Sequence, residues 1–337
     1  MQPVDVTTSK KRVLKPKFQE GEKAYRLDLA MAAELNPGNT LVMSGFWRSG
    51  TTWIQEALRE ILAAKTLFEP LSPLVPEAKV IHAHHHVAGK SFEFLRMFIP
   101  YCGSDNLNGQ PLHELFYKSL RSELEGAWVR RFRQGLEESR RSRLVVKFVR
   151  AQLCLRAAQN TFAMPVLHVY RDPRAVMASI RKTKWHWLFD HLSLREQLLE
   201  IPDGRAEYFD QWRDEILRYD QQDPVSRVVA YWAMTEKFLQ QSYAGYQGRV
   251  VFISYEKLAQ GREKVFADVL KQLHVPPAHE NFRVPEADST TTSQAQRGAS
   301  VGERVAGWKK FLSSSEIAAT ESITQYFGLE DRLVGGD

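Results

Sequence analysis

Cysteine is nearly absent from this chain, with only Cys102 and Cys154 among 337 residues. Two thiols make no disulfide framework, which excludes a small bridge-held scaffold and suits a reducing compartment. Long apolar runs are lacking as well. No segment approaches the length needed to cross a bilayer, and Lys10-Lys11-Arg12 is not followed by an apolar stretch of signal-peptide length. The expectation is a cytoplasmic protein with no integral membrane segment. Neither sign of charge dominates: 46 Lys and Arg against 40 Asp and Glu leave +6. So small and dispersed an excess fits a polyanionic small molecule better than nucleic acid, for which no recognised module is present. Runs such as Arg140-Arg141-Ser142-Arg143 read as solvated faces. Internal repeats and low-complexity tracts are also missing.

What is present is enough apolar material, 43% of the residues, to bury a sizeable core in one α/β domain. Residues 1–20 are polar and basic and read as a mobile arm; a single domain is expected over 21–330. Leu41–Ser44, Leu144–Val149, Pro165–Tyr170 and Arg249–Tyr255 are short buried-strand candidates. Helical patterns near Leu112–Ser139, Val225–Gln241 and Arg262–Leu273 separate them, which points to a parallel sheet with helices on both faces. Ligands of such sheets bind at the carboxyl ends of the strands. A helical insertion is expected near 184–224, carrying Trp185, Trp187, Phe189, Tyr208, Phe209 and Trp212. Those aromatics read first as ordinary packing and second as an acceptor wall or lid. Asp288–Gly302, rich in Ser, Thr, Gln and Gly, reads as a loop able to close over a ligand.

The most informative segment runs from Thr40 to Trp53, an apolar strand that turns through Gly45-Phe-Trp-Arg-Ser-Gly50 into a helix. The spacing of the glycines is that of a nucleotide phosphate loop, in which backbone amides and a helix start hold phosphates. The lysine expected after the second glycine is missing. Thr51 stands there, and the cation, Arg48, has moved inside the loop. An Arg in that position can face the bridging oxygen of a group leaving a 5′-phosphate, so a nucleotide donor of something other than a magnesium-bound phosphoryl group is suggested.

Arg48-Ser49-Gly50-Thr51-Thr52-Trp53 resembles the 5′-phosphosulfate loop of sulfotransferases, which use 3′-phosphoadenosine 5′-phosphosulfate (PAPS) and release the bisphosphate PAP. Tyr170-Arg171-Asp172-Pro173 through Ser179 is similar to that family's second signature, with Arg and Ser eight apart. Ser254-Tyr255-Glu256-Lys257-Leu258 and Arg304–Leu312 resemble two later blocks, so ordered matches span about Leu41 to Phe311. The resemblance implies a P-loop-like three-layer fold with a central parallel sheet flanked by helices, and sulfuryl transfer to a hydroxyl of a sugar, lipid or small metabolite. It implies that Ser49, Gly50, Thr51 and Thr52 cradle the 5′ end through amides 49–52 and the two Thr hydroxyls. Arg48 would stabilise charge on the bridging oxygen, electrostatically, because guanidinium stays protonated. Arg171 and Ser179 would hold the 3′-phosphate, Arg297 with Gly298 would add a third contact, and Trp53 would stack on adenine. A core Trp is the competing reading of Trp53.

The proton acceptor departs from the commonest pattern. Cytosolic members of the family carry Lys-x-His at a strand end, and here Lys147-Phe148-Val149 has Val in the His place. Phe68-Glu69-Pro70 is similar instead to the Glu-Pro of carbohydrate sulfotransferases, which makes Glu69 the leading base, preferably with a pKa raised by partial burial. Lys147 would add positive charge near the transferred group. His82, His84 and His86 share a face if their segment is extended, and one of them, taken as His84, could assist Glu69. No metal is expected, since no Cys or carboxylate accompanies these imidazoles at ligand spacing. A P-loop phosphotransferase and a non-catalytic nucleotide-binding protein are the alternatives.

Overall fold

The computed structural model of the chain describes residues 14–183, 186–285 and 301–334. Helix α1, Leu14–Met31, begins inside the segment read as an arm, so that reading is confined to residues 1–13, which lie outside the described ones. The nucleotide-loop unit follows as β1 (Leu41–Ser44), α2 (Thr51–Ile61) and β2 (Lys65–Phe68). Next come α3 (Ala78–His84), α4 (Phe92–Met97), α5 (Pro111–Leu120), α6 (Leu136–Ser139), β3 (Leu144–Phe148), α7 (Leu155–Phe162), β4 (Val166–Tyr170) and α8 (Pro173–Lys182). The segment expected as a helical insertion holds, among the described residues, the short α-helices α9 (Trp187–His191), α10 (Leu194–Leu198), α11 (Arg205–Phe209) and α12 (Arg213–Asp220). The chain then runs through α13 (Pro224–Ser242), β5 (Val250–Ser254), α14 (Tyr255–Gln272), α15 (Val301–Ala306) and α16 (Ser314–Tyr326).

All five strands pair in parallel in the order β2-β3-β1-β4-β5. Four of them were legible as apolar runs. The edge strand β2 was not, because Lys65-Thr66-Leu67-Phe68 opens on a charged residue. Lys65 is nevertheless fully buried, its ammonium 3.6 Å from the Asp28 carboxylate. Arg130 and Arg133 bond the same carboxylate at 2.7 and 2.6 Å. One acid on α1 thus gives three buried cations at the sheet edge a shared partner, a pairing that strand patterns cannot anticipate.

The helical stretch expected over Leu112–Ser139 is broken. Gly126 and Gly135 adopt positive φ, and only α5 and α6 remain at its ends. Helix α14 begins earlier than expected and kinks at Arg262, where φ is 41°. In the insertion, Trp187, Phe189 and Phe209 are buried in the cluster formed with α8 and α13, while Tyr208 and Trp212 pack against it. The packing reading of those aromatics therefore stands; Trp185 lies outside the described residues.

Candidate active site

The five parallel strands of the described sheet end on one edge, and the loop after the central strand β1 lies in the middle of it. Gly45 can only be glycine, since a Cβ there would sit 2.5 Å from the Val169 carbonyl oxygen on neighbouring β4. Gly50 caps α2 at φ 77°, and its Cβ would meet the Tyr255 ring at 2.3 Å. Between them Arg48 takes φ 67°, a left-handed conformation that costs a non-glycine residue on the order of 1 kcal/mol or more and aims its side chain across the sheet. The Ser49 amide bonds the Phe46 carbonyl, so of amides 49–52 that one is already engaged. Helix geometry leaves the first-turn amides of α2 without intrahelical acceptors. Ser49 Oγ is buried without a hydrogen-bond partner, an orphan that an anion seated on the loop would satisfy.

The second signature comes to the same place. Strand β4 ends at Tyr170, the Asp172 carboxylate caps α8 through the Arg174 amide, and Pro173 is the first helical residue. That start sets Arg171 and Ser179 beside the loop. Arg48 Nε donates to Ser179 Oγ at 3.0 Å, and Arg171 Nη1 donates to the Arg48 carbonyl oxygen at 3.1 Å. The Arg171 guanidinium also lies over the Tyr255 ring at 4.6 Å and 3.9 Å from the Glu256 carboxylate. Burial lowers the Arg48 pKa to about 10, helped by Arg171 and opposed by Glu69. Arg48 remains charged at neutral pH. Trp53 is only half-buried, edge-on to Tyr255 at 5.9 Å and to Phe266 at 6.0 Å. Arg297 and Gly298 lie outside the described residues.

On the other side of the loop Glu69 leaves the end of β2 with φ 46°, its amide bonded to the Lys147 carbonyl oxygen. Its carboxylate is buried between the Lys147 ammonium at 3.4 Å and the Arg150 guanidinium at 3.1 Å. The raised pKa expected of Glu69 is not found. Burial pushes the carboxyl up, but Lys147 and Arg150 outweigh it and hold the pKa below the usual value. Lys147 donates to Thr52 Oγ1 at 3.0 Å, which joins the carboxylate to the phosphate loop. Its ammonium lies 3.8 Å from the centre of the Phe68 ring. Burial depresses its pKa to about 8; Glu69 opposes that shift, and Arg48 and Arg150 add to it.

His84 does not join this group. Residues 78–84 are helical, so the extended face of His82, His84 and His86 does not exist. His84 is exposed and packs edge-on to His85. His82 is buried, and burial, His85 and Arg150 together lower its pKa to about 4. His85 bonds Asp203 at 2.7 Å and so ties α3 to the insertion.

Two contributors escaped the sequence reading. Arg150 lies one residue beyond the tripeptide compared with Lys-x-His, and only the turn after β3 brings it back to Glu69. Tyr255 belongs to a block quoted for its resemblance, without a role; the close approach of Gly50 reveals it. Among the described residues no group of His, Cys, Asp and Glu is arranged to hold a metal ion. No described helix is long and apolar enough to cross a membrane.

The sulfotransferase domain matches residues 39–290, which is most of the chain and contains both the loop after β1 and the start of α8. The chain belongs to the sulfotransferase family. No curated protein matches it. Solved structures similar to this sulfotransferase include a sulfotransferase domain from the curacin biosynthetic pathway, 14% identical over 86% of this chain and 97% of that one, with a TM-score of 0.42. The sulfotransferase domain of an olefin synthase from Synechococcus PCC 7002 is 15% identical over 87% and 96%, with a TM-score of 0.42. A sulfotransferase from Alicyclobacillus acidocaldarius is 15% identical over 85% and 96%, with a TM-score of 0.36. At such scores the membership rests on the domain match.

Proposed function

We propose that this enzyme moves the sulfuryl group of PAPS to a hydroxyl of an acceptor, a sugar, lipid or small metabolite. The observation that carries the reading is the contact of Arg48 with Ser179 and of Arg171 with the Arg48 backbone. It supports the reading because the loop after β1 and the start of α8, each proposed to bind one phosphate of the donor, touch one another.

The donor supplies an activated sulfur–oxygen bond; the protein supplies position and charge. First-turn amides of α2, the Thr51 and Thr52 hydroxyls and Ser49 Oγ hold the 5′ end. Arg171 and Ser179 hold the 3′-phosphate, with Arg297 and Gly298 as further contacts from the late loop, and Trp53 bears on the adenine. Glu69 takes the proton of the acceptor hydroxyl. The acceptor oxygen bonds sulfur as the bond from sulfur to the 5′-phosphate oxygen breaks, and that electron pair leaves with PAP. Arg48 and Lys147 stabilise the negative charge gathering there. Its two ion pairs hold Glu69 ionised, the form that accepts a proton, and weaken it as a base. Proton transfer is then favourable only once the forming bond has acidified the hydroxyl. His84 has no part in this scheme.

The test is an acceptor panel of sugars, lipids and phenols incubated with PAPS carrying labelled sulfate, together with equilibrium binding of PAP and of ATP with Mg²⁺. Label on a hydroxyl acceptor and tight PAP binding are expected. Preference for ATP with Mg²⁺ would replace the reading with phosphoryl transfer, and PAP binding without transfer to any acceptor would leave a nucleotide-binding protein.

A further inference from the structure

The last turn of α8 carries two adjacent cations, Arg181 and Lys182, and both meet the Trp308–Leu312 segment. Lys182 stands three residues beyond Ser179, one helical turn further along the same face. Its ammonium lies 3.7 Å from the centre of the Phe311 ring, which belongs to the Trp-Lys segment Trp308–Leu312. That segment is fastened down on α8 in two places. Arg181 Nη1 donates to the Phe311 carbonyl oxygen at 2.6 Å, and the Arg174 guanidinium lies over the Trp308 ring at 4.2 Å. Exposed Lys310 is the neighbour of Phe311 in that segment, so docking Phe311 on Lys182 sets a second lysine within electrostatic reach of it. Burial lowers the Lys182 pKa first, and then the positive charges of Arg171 and Lys310 press on it. Arg181, by contrast, is neutralised by Glu316, so of two adjacent cations one serves the fold while the other faces like charge.

Gathering like charges on a half-buried surface opposes folding unless an anion offsets them. We propose that Lys182, with Lys310 at its rim, completes the pocket for the donor's 3′-phosphate and so sets the preference for the 3′-phosphorylated nucleotide. The inference rests on the PAPS reading above, and it gives the Trp-Lys segment the role of holding Lys182 in place through Phe311. A phosphate dianion is not neutralised by Arg171 alone, and the lysine adds to the positive charge of the pocket.

The experiment is calorimetric binding of PAP and of adenosine 5′-phosphate to the wild type, Lys182→Gln, Lys182→Arg and Lys310→Gln, each checked by thermal melting. Lys182→Gln should weaken PAP about tenfold and adenosine 5′-phosphate less than about twofold, a tenfold loss being one lost charge-assisted contact. Lys182→Arg should recover most of the loss, and Lys310→Gln should lose about two- to threefold for PAP only. Unchanged PAP affinity in Lys182→Gln, or equal losses for both nucleotides, would overturn the assignment of Lys182 while leaving the donor reading intact. A wild type that does not distinguish the two nucleotides would instead bring down the donor reading and this inference with it.

Discussion

Arg48 and Ser179, 131 residues apart in the chain, meet through a hydrogen bond of 3.0 Å. The contact joins the loop after β1 to the helix after β4, two neighbouring strands of the sheet. A side chain at one proposed phosphate site therefore reports directly on the other.

Replacing Arg48 by Ala should cost turnover far more than nucleotide affinity. Removal of a charge aimed at a developing anion typically lowers kcat by about 10²–10³-fold. Single-turnover rates and PAP binding, measured together, separate the two effects; a loss confined to affinity would assign Arg48 to binding alone.

Arg171→Gln should weaken PAP about tenfold or more and adenosine 5′-phosphate little, because a charge-assisted contact contributes about 1.5–3 kcal/mol. Equal losses for both nucleotides would remove Arg171 from the 3′ pocket.

Glu69→Gln should abolish most turnover and also destabilise the fold, since Lys147 and Arg150 lose their shared buried partner. Breaking a buried pair costs about 3–5 kcal/mol. The double variant Glu69→Gln, Lys147→Met should regain part of that stability in urea melts, Arg150 still lacking its partner, which measures the folding cost; the chemical cost is read from the turnover of folded Glu69→Gln. Wild-type turnover in Glu69→Gln would exclude it as the base. The pH dependence has a defined sign. The folded-state pKa of Glu69 lies below its unfolded value, so its stabilising contribution is present above the usual carboxylate pKa and is lost as pH falls through the folded value.

Lys147 predicts a basic limb in the rate profile. With its pKa near 8, it discharges in mildly alkaline solution, and kcat/KM for the donor should fall above about pH 8. Lys147→Arg should move that limb upward. A flat profile to about pH 9.5 would show that the ammonium charge is not used. For stability the same depression acts the other way: the folded state releases this proton before the unfolded state does, so this group's burial penalty fades as pH rises from about 8 towards its ordinary value of 10.5.

Gly50→Ala should damage the loop, because a Cβ at φ 77° would be driven into the Tyr255 ring. A loss of about 1–3 kcal/mol in stability is expected from the backbone conformation alone, with the clash added. Adding Tyr255→Ala should recover the clash portion only, a non-additivity that a double-mutant cycle measures.

The sequence by itself determined the class of fold, four of the five described strands and the two segments that meet at Arg48 and Ser179. Apolar strands bounded by polar turns, the Gly45–Gly50 spacing and the Asp172-Pro173 helix start are local signals, and each was legible without knowing what it packs against. Tertiary structure alone decided the rest. Strand β2 was hidden because its buried lysine finds its partner, Asp28, on a distant helix. The state of Glu69 was misjudged because it depends on Lys147 and Arg150, brought to it from β3 and the turn that follows. His82, His84 and His86 share no face because α3 holds the first two and ends at His84. Backbone preference is written within a few residues, whereas the protonation of a buried group is set by whichever charges the fold places around it, and those come from anywhere in the chain.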